Sequence, residues 1–227
     1  MTPFELSQIE QGSPEWKQAR CGLVTGSRCA DVIAVTKKGE GAPRRDYRVE
    51  LIVERLTGVP VEQYVSKEME WGIQQEPFAR AAYELDRDVM VETCGFVKHP
   101  RIACFGASPD GLVGDDGMIQ IKCPNTTTHL GWMLAGVVPV EHVPQMLGEM
   151  ACTGRAWCDF VSFDPRLPQH LQLFIRRFSR DETLIAALES EVIHFNSEIE
   201  SVLASLPQKP QTIATVLDWP TADEVQF

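Results

Sequence analysis

Apolar and polar residues repeat with two different periods along this chain, and the changes of period mark out its elements. Ser13-Pro14-Glu15 reads as a helix start, a capping hydroxyl followed by proline in the first turn. Over 46–57 the apolar residues recur at helical spacing and stop at Gly58, a residue type suited to a left-handed C-terminal position. Residues 66–86 predict a longer helix with Trp71, Phe78 and Ala82 near one face beside Glu76; Gly72 and Pro77 should bend or divide it. The period then shortens. Short β-like runs at 95–97, 102–105, 111–113 and 118–122 are broken by Pro, Gly and Asp, with Asp115-Asp116-Gly117 as a hairpin turn. A helix over 143–152 stops near Gly154, strands follow at 157–163 and 171–178, and 181–206 forms a long amphipathic helix. Its apolar stripe is Leu184, Leu188, Val192, Phe195, Ile199 and Leu203. Helices, a mainly antiparallel meander, then helix, strands and helix give an α/β fold, a central mixed sheet flanked by helices. We expect one domain over 1–206 and a tail over 207–227 with an apolar patch at Val216, Leu217 and Trp219.

Composition narrows the class. At 44% hydrophobic and 23% charged over 227 residues, the chain can bury an ordinary core, which excludes disorder and collagen-like repeats. No run approaches the ~20 apolar residues of a bilayer crossing, so no membrane association is expected. The opening residues lack the basic and apolar regions of a signal peptide. Seven scattered cysteines without a C-x-x-C fit a reducing cytoplasm. With 21 Lys+Arg against 32 Asp+Glu the net charge is −11. That argues against coating nucleic acid through net charge, though not against a locally basic groove. Two short basic stretches, Lys37, Lys38, Arg44, Arg45 and Arg48, then Arg176, Arg177 and Arg180, read by themselves as solvated faces.

The candidate chemistry lies at Ser108-Pro109-Asp110-Gly111 and, with nine residues intervening after Asp110, at Gln120-Ile121-Lys122. Strand alternation turns Ile119 and Ile121 to the core and puts Gln120 and Lys122 on the opposite face. Folding about Asp115-Asp116 brings Asp110 alongside that pair, so three polar groups meet at one edge of the sheet. A carboxylate, an amide and an ammonium there suit metal-assisted phosphodiester cleavage, since Mg²⁺ prefers oxygen ligands. The pattern D-x₉-Q-x-K alone is loose, and an ordinary surface hairpin also satisfies it. The five histidines show no ligand spacing.

These residues resemble the PD-(D/E)xK signature in the form found in phage recombination exonucleases of the lambda exonuclease family. The resemblance extends to Trp16-Lys-Gln-Ala-Arg20 with Gly22-Leu-Val-Thr-Gly-Ser27, to Glu70-Trp-Gly-Ile-Gln-Gln-Glu76, and to Phe163-Asp-Pro-Arg166, in the family's order. It implies a restriction-endonuclease-like core and 5′-to-3′ digestion of one strand of linear duplex DNA from a 5′-phosphorylated end. The products would be mononucleotides and a 3′ overhang for recombination by strand annealing. Position by position it implies Asp110 and residue 120 as metal ligands with the Ile121 carbonyl, Lys122 as catalytic lysine, Glu76 as a site carboxylate and Gln145 as a site glutamine. Arg20, Ser27 and Ser108 would grip the 5′-phosphate, Lys37 would reach the DNA, and Met69 would wedge the duplex end. Ser27 can equally cap the following helix, and Met69 can equally belong to the core. The resemblance further implies two Mg²⁺, with Mn²⁺ as a substitute, a ring-shaped homotrimer, a single-strand annealing protein as partner, and the cytoplasm of a bacterial or phage-infected cell.

One position departs from that pattern. The family has glutamate where this chain has Gln120, so the amide removes a formal charge from the site. An isosteric acid-to-amide change is what an experimenter would introduce to hold DNA uncut, and the expectation is an engineered, impaired nuclease. The competing readings are another PD-(D/E)xK enzyme, endonuclease or repair type, and a non-catalytic DNA-end-binding relative. An iron–sulfur version is disfavoured because no cysteine follows Cys158.

Overall fold

A computed structural model describes residues 9–37, 39–62 and 64–207. The expected apolar patch of the tail, and Lys38, lie outside the described residues. Ser13 caps α1 (Pro14–Arg20), its hydroxyl accepting the Trp16 N–H at 3.1 Å. β1 (Val24–Thr25) passes through a 3₁₀ turn into the short α2 (Cys29–Val32). β2 (Val35–Thr36) and β3 (Gly39–Glu40) form a separate hairpin. α3 (Ala42–Thr57) starts four residues before the apolar spacing suggested, because Pro43 is well suited to a first turn, and it ends at Gly58 with φ 69°.

α4 (Lys67–Arg87) runs unbroken through Pro77, contrary to the expected division. The carbonyl that proline leaves unpaired is that of Ile73, an exposed residue in a position to be hydrated. The buried face also differs from the sequence reading. Ala79 and Tyr83 carry it, with Trp71 and Ala82 packed alongside, while Phe78 is 62% exposed.

β4 (Val91–Glu92), β5 (Val97–Lys98), β6 (Phe105–Ala107), β7 (Gly111–Val113) and β8 (Gly117–Lys122) follow. The strand expected at 102–105 therefore lies later, at Phe105–Ala107. α5 (Thr126–Ala135), which the sequence reading did not identify, is capped by Asn125 and closed by Gly136 at φ 69°. α6 (Val143–Thr153), β9 (Trp157–Phe163), β10 (Leu173–Ser179) and α7 (Glu182–Ser205) complete the chain. On α7 the buried stripe begins at Ile185, not at Leu184, which is 44% exposed.

The main sheet has the order β10-β9-β8-β7-β4, and a smaller one the order β1-β6-β5. β8 pairs parallel with β9 and β1 parallel with β6, so the sheets are mixed rather than a simple meander. The parallel β8–β9 step requires a crossover, and α5 and α6 supply it. Helices cover both faces of the main sheet. α4 packs on the Ile119, Ile121 and Val161 side. On the other side Met118 and Phe160 meet Met146 and Met150 of α6, backed by α7 through Leu188, Val192 and Phe195. Tyr83 donates to Asp159 at 2.9 Å and Arg177 forks onto the same carboxylate at 2.8 and 2.9 Å, tying α4 to β9 and β10. All seven cysteines are free thiols, and no described helix is long and apolar enough to cross a membrane.

Close approach of α6 depends on Gly148. A Cβ there would lie 2.8 Å from Cys29 Sγ and 3.2 Å from Phe105 Cζ, both fully buried. Gly148→Val should therefore destabilise the protein by about 1–3 kcal/mol through overpacking, measured as a lowered urea midpoint with an unchanged m-value.

Candidate active site

Three elements bring the polar residues together. β7 and β8 pair with Gly111 opposite Ile119, which sets Asp110 beside Gln120 at the C-terminal end of β8. Asp110 Oδ2 accepts the Ile121 N–H at 2.6 Å and a hydrogen bond from Gln120 Nε2. The face that Gln120 shares with Lys122 is not a sheet edge, as first expected. β8 is the middle strand, α6 lies over it, and Gln120 is only 1% exposed. Gln145, from the first turns of α6, links the group: its Nε2 donates to Gln120 Oε1 at 2.9 Å and to Glu149 Oε1 at 2.8 Å. Its Oε1 accepts from Lys122 Nζ at 3.2 Å.

α4 closes the other side. Arg80 Nη2 donates to Glu76 at 2.7 Å and to the Asp110 carbonyl at 3.1 Å. Arg80 and Glu149 were absent from the sequence reading. Each lies four residues beyond a predicted site residue, Glu76 and Gln145, so helical periodicity was the available signal.

Electrostatics follow from burial. Desolvation raises the Asp110 carboxyl, against the pull of Lys122, the Ile121 N–H and Arg80. Glu76 rises to about 7, first through burial and then through repulsion by Asp110. Glu149, buried in α6, is pushed well above the ordinary carboxylate range by desolvation and by Asp110. Asp110 thus has one acid from each flanking helix within electrostatic reach, Glu76 and Glu149, with Lys122 and Arg80 as the neighbouring cations.

A cavity of about 150 Å³ opens beside Asp110 and Gln145, lined also by Arg20, Ser27, Ser108 and Thr25. Trp16 organises this wall. Its indole N–H donates to Ser108 Oγ at 2.9 Å, and Arg20 lies over its ring at 3.8 Å. No carboxylate among the described residues forms an ion pair with Arg20. Arg20, Ser27 and Ser108 thus converge, as a phosphate site requires. Met69, in the first turn of α4, lines a neighbouring cavity of about 480 Å³ that shares Arg20 and Ser27, and it is 48% exposed rather than core. Lys37 sits apart, exposed in the β2–β3 hairpin, and lines neither cavity.

The donor set suits a hard divalent cation. Asp110 and the Gln120 amide offer oxygen, as does the neighbouring Ile121 carbonyl, and Glu149 Oε2 is buried without any partner. No group of three or more His, Cys, Asp or Glu side chains among the described residues has metal-holding geometry. Any cation here would therefore rely on amide and backbone oxygens as well as on carboxylates.

Residues 15–156 match the YqaJ-like viral recombinase domain family. The alkaline exonuclease LHK-Exo from Laribacter hongkongensis is 49% identical, with 85% of this chain and 95% of that one covered and a TM-score of 0.78. LHK-Exo in complex with dAMP gives 48% identity, the same coverage and a TM-score of 0.79. A phage related exonuclease from Haemophilus somnus 129PT shares the fold, at 16% identity, 80% and 95% coverage and a TM-score of 0.63. No curated protein matches the chain.

The raised acids set a pH dependence. A carboxyl raised by folding stabilises the protein fully below its unfolded pKa near ~4.3. That stabilisation is lost as pH climbs through the folded value, about 7 for Glu76. In EDTA, Glu76→Gln, which imitates the protonated acid, should melt progressively higher than the parent as pH rises from about 5 to 8. A gap in melting temperature that stays constant over that range would refute the assignment.

Proposed function

Because the chain belongs to the YqaJ-like viral recombinase domain family, the lambda exonuclease family, we propose that it is a 5′-to-3′ exonuclease acting on linear double-stranded DNA, dependent on Mg²⁺ or Mn²⁺. One observation carries this reading: the Asp110–Gln120–Gln145–Lys122 row ends at a cavity walled by Arg20, Ser27 and Ser108. Cleavage chemistry and an anion grip are thereby adjacent. LHK-Exo has been crystallised with dAMP, and a mononucleotide is what the proposed reaction releases.

In this mechanism Arg20 and the Ser27 and Ser108 hydroxyls hold the terminal 5′-phosphate, and Trp16 keeps both Arg20 and Ser108 in place. Asp110, Gln120 and the Ile121 carbonyl would hold the cation. When bound, a hard divalent cation supplies an activated water and charge stabilisation on the scissile phosphate. Lys122, steadied by Gln145, orients the attacking water and offsets developing negative charge. Glu76, raised to about 7 by burial and by Asp110, can exchange a proton near neutral pH. Met69 at the rim meets the duplex end as an apolar wedge, and Lys37 contacts DNA farther out.

The assembly proposed is a ring of three copies around DNA, beside an annealing protein that coats the 3′ overhang. Exposed apolar side chains along α4, Ile73, Phe78 and Leu85, offer surface for such contacts. A strict monomer by light scattering would contradict the ring.

Gln120 favours a second reading, a DNA-end-binding protein without catalysis. The two separate on one assay, Mg²⁺-dependent release of nucleotides from 5′-phosphorylated linear duplex. Lys122→Ala should lower release by roughly 100-fold or more; a parent chain no faster than Lys122→Ala would favour end binding. Arg20→Ala should slow digestion of 5′-phosphorylated DNA by roughly 10- to 100-fold and affect 5′-hydroxyl DNA much less. Equal losses on the two substrates would remove Arg20 from the phosphate grip.

A further inference from the structure

Glu149 is a buried acid that the fold leaves half satisfied. It sits on α6 at 1% exposure, between Gly148, where the helix approaches Cys29 and Phe105 closely, and Met150. Oε1 accepts from Gln145, but Oε2 has no hydrogen-bond partner. A buried, half-satisfied carboxylate is costly, and such groups persist where function holds them.

Its position answers the peculiarity of Gln120. The hydrogen-bonded row from Asp110 through Gln120 and Gln145 ends at Glu149. Both Gln145 N–H donors are spent on the two flanking residues, and its oxygen accepts from Lys122. The family resemblance implies an acid at one end of this amide bridge, where the chain has Gln120, and Glu149 stands at the other end. Asp110 and Lys122 are the charged groups Glu149 feels, the same two that flank the amide of Gln120.

Resting on the nuclease reading above, we infer that Glu149 supplies the formal negative charge of the divalent-cation site that Gln120 lacks, with its unpartnered Oε2 as the additional oxygen. On this inference the amide at 120 is one half of an exchange of acid between strand and helix, and it does not mark an impaired enzyme.

The test titrates Mn²⁺ calorimetrically into metal-stripped protein without DNA, followed by the nuclease assay. Glu149→Gln should weaken Mn²⁺ binding by roughly 10- to 100-fold, while its metal-free melting temperature stays at or above that of the parent. Glu149→Asp, which keeps the charge, should bind better than Glu149→Gln. The double variant Gln120→Glu with Glu149→Gln, which returns the acid to the strand, should regain binding and nucleotide release. Parent-like Mn²⁺ affinity in Glu149→Gln, no gain from the double variant, or the reverse order of Asp and Gln would each overturn the inference. Asp110→Asn separates the levels. If it abolishes Mn²⁺ uptake while Glu149→Gln does not, the cation site stands and Glu149 has no part in it. A parent chain that takes up no Mn²⁺ removes the cation reading and this inference with it.

Discussion

Desolvation of the carboxylates gathered around Asp110 is the constraint from which the architecture of this site follows. Asp110, Glu76 and Glu149 converge from a strand end and two helices; burial raises all three, and Asp110 adds to the rise at Glu76 and Glu149 while its own neighbours pull it down. Such a cluster persists only if the framework holds it and cations offset it. Lys122 and Arg80 provide part of that offset, and the amides of Gln120 and Gln145 space the acids apart. The metal-free protein is therefore tensioned electrostatically, with a place prepared for further positive charge.

The scaffold that holds the cluster is a sheet closed on both faces. Because β8 runs parallel to β9, the chain must cross over between them, and α6 in that crossover lies directly above Gln120. Gly148 lets the helix come down to van der Waals contact with Cys29 and Phe105. On the opposite face α4 is anchored near its C-terminal end by the Tyr83–Asp159–Arg177 link. Its N-terminal half carries Met69 and Glu76 to the rim. Positioning thus comes from rigid elements rather than from loops.

Much of this was legible in the chain itself. The period of two around Asp115-Asp116-Gly117 placed Asp110, Gln120 and Lys122 together, because register in a tight hairpin leaves little freedom. Phase along the helices was less secure. Leu184 and Ile185 differ by one position, and only packing against the neighbouring helices and core selects Ile185. Pro77 looked like a breaker, yet an exposed carbonyl at Ile73 lets the helix continue. Glu149 reads as an ordinary acid in an apolar run, because burial from above depends on where α6 lands. The blocks around Trp16 and Trp71 resembled a known family, and that resemblance located Arg20 and Ser27. No pattern of periods would have paired them with Ser108 across more than eighty residues.

The setting of Arg20 bears on how such a protein meets a polyanion. Its guanidinium rests on the Trp16 indole and forms no ion pair among the described residues, while the chain as a whole carries −11. Ionic strength of about 0.1 M damps charge effects beyond roughly 10 Å, which relieves the long-range repulsion between acidic body and nucleic acid. A sheltered contact to a single terminal phosphate is damped far less. On the nuclease reading, then, few counterions are displaced from the duplex, and the complex tolerates salt that would strip a groove-coating protein from its DNA.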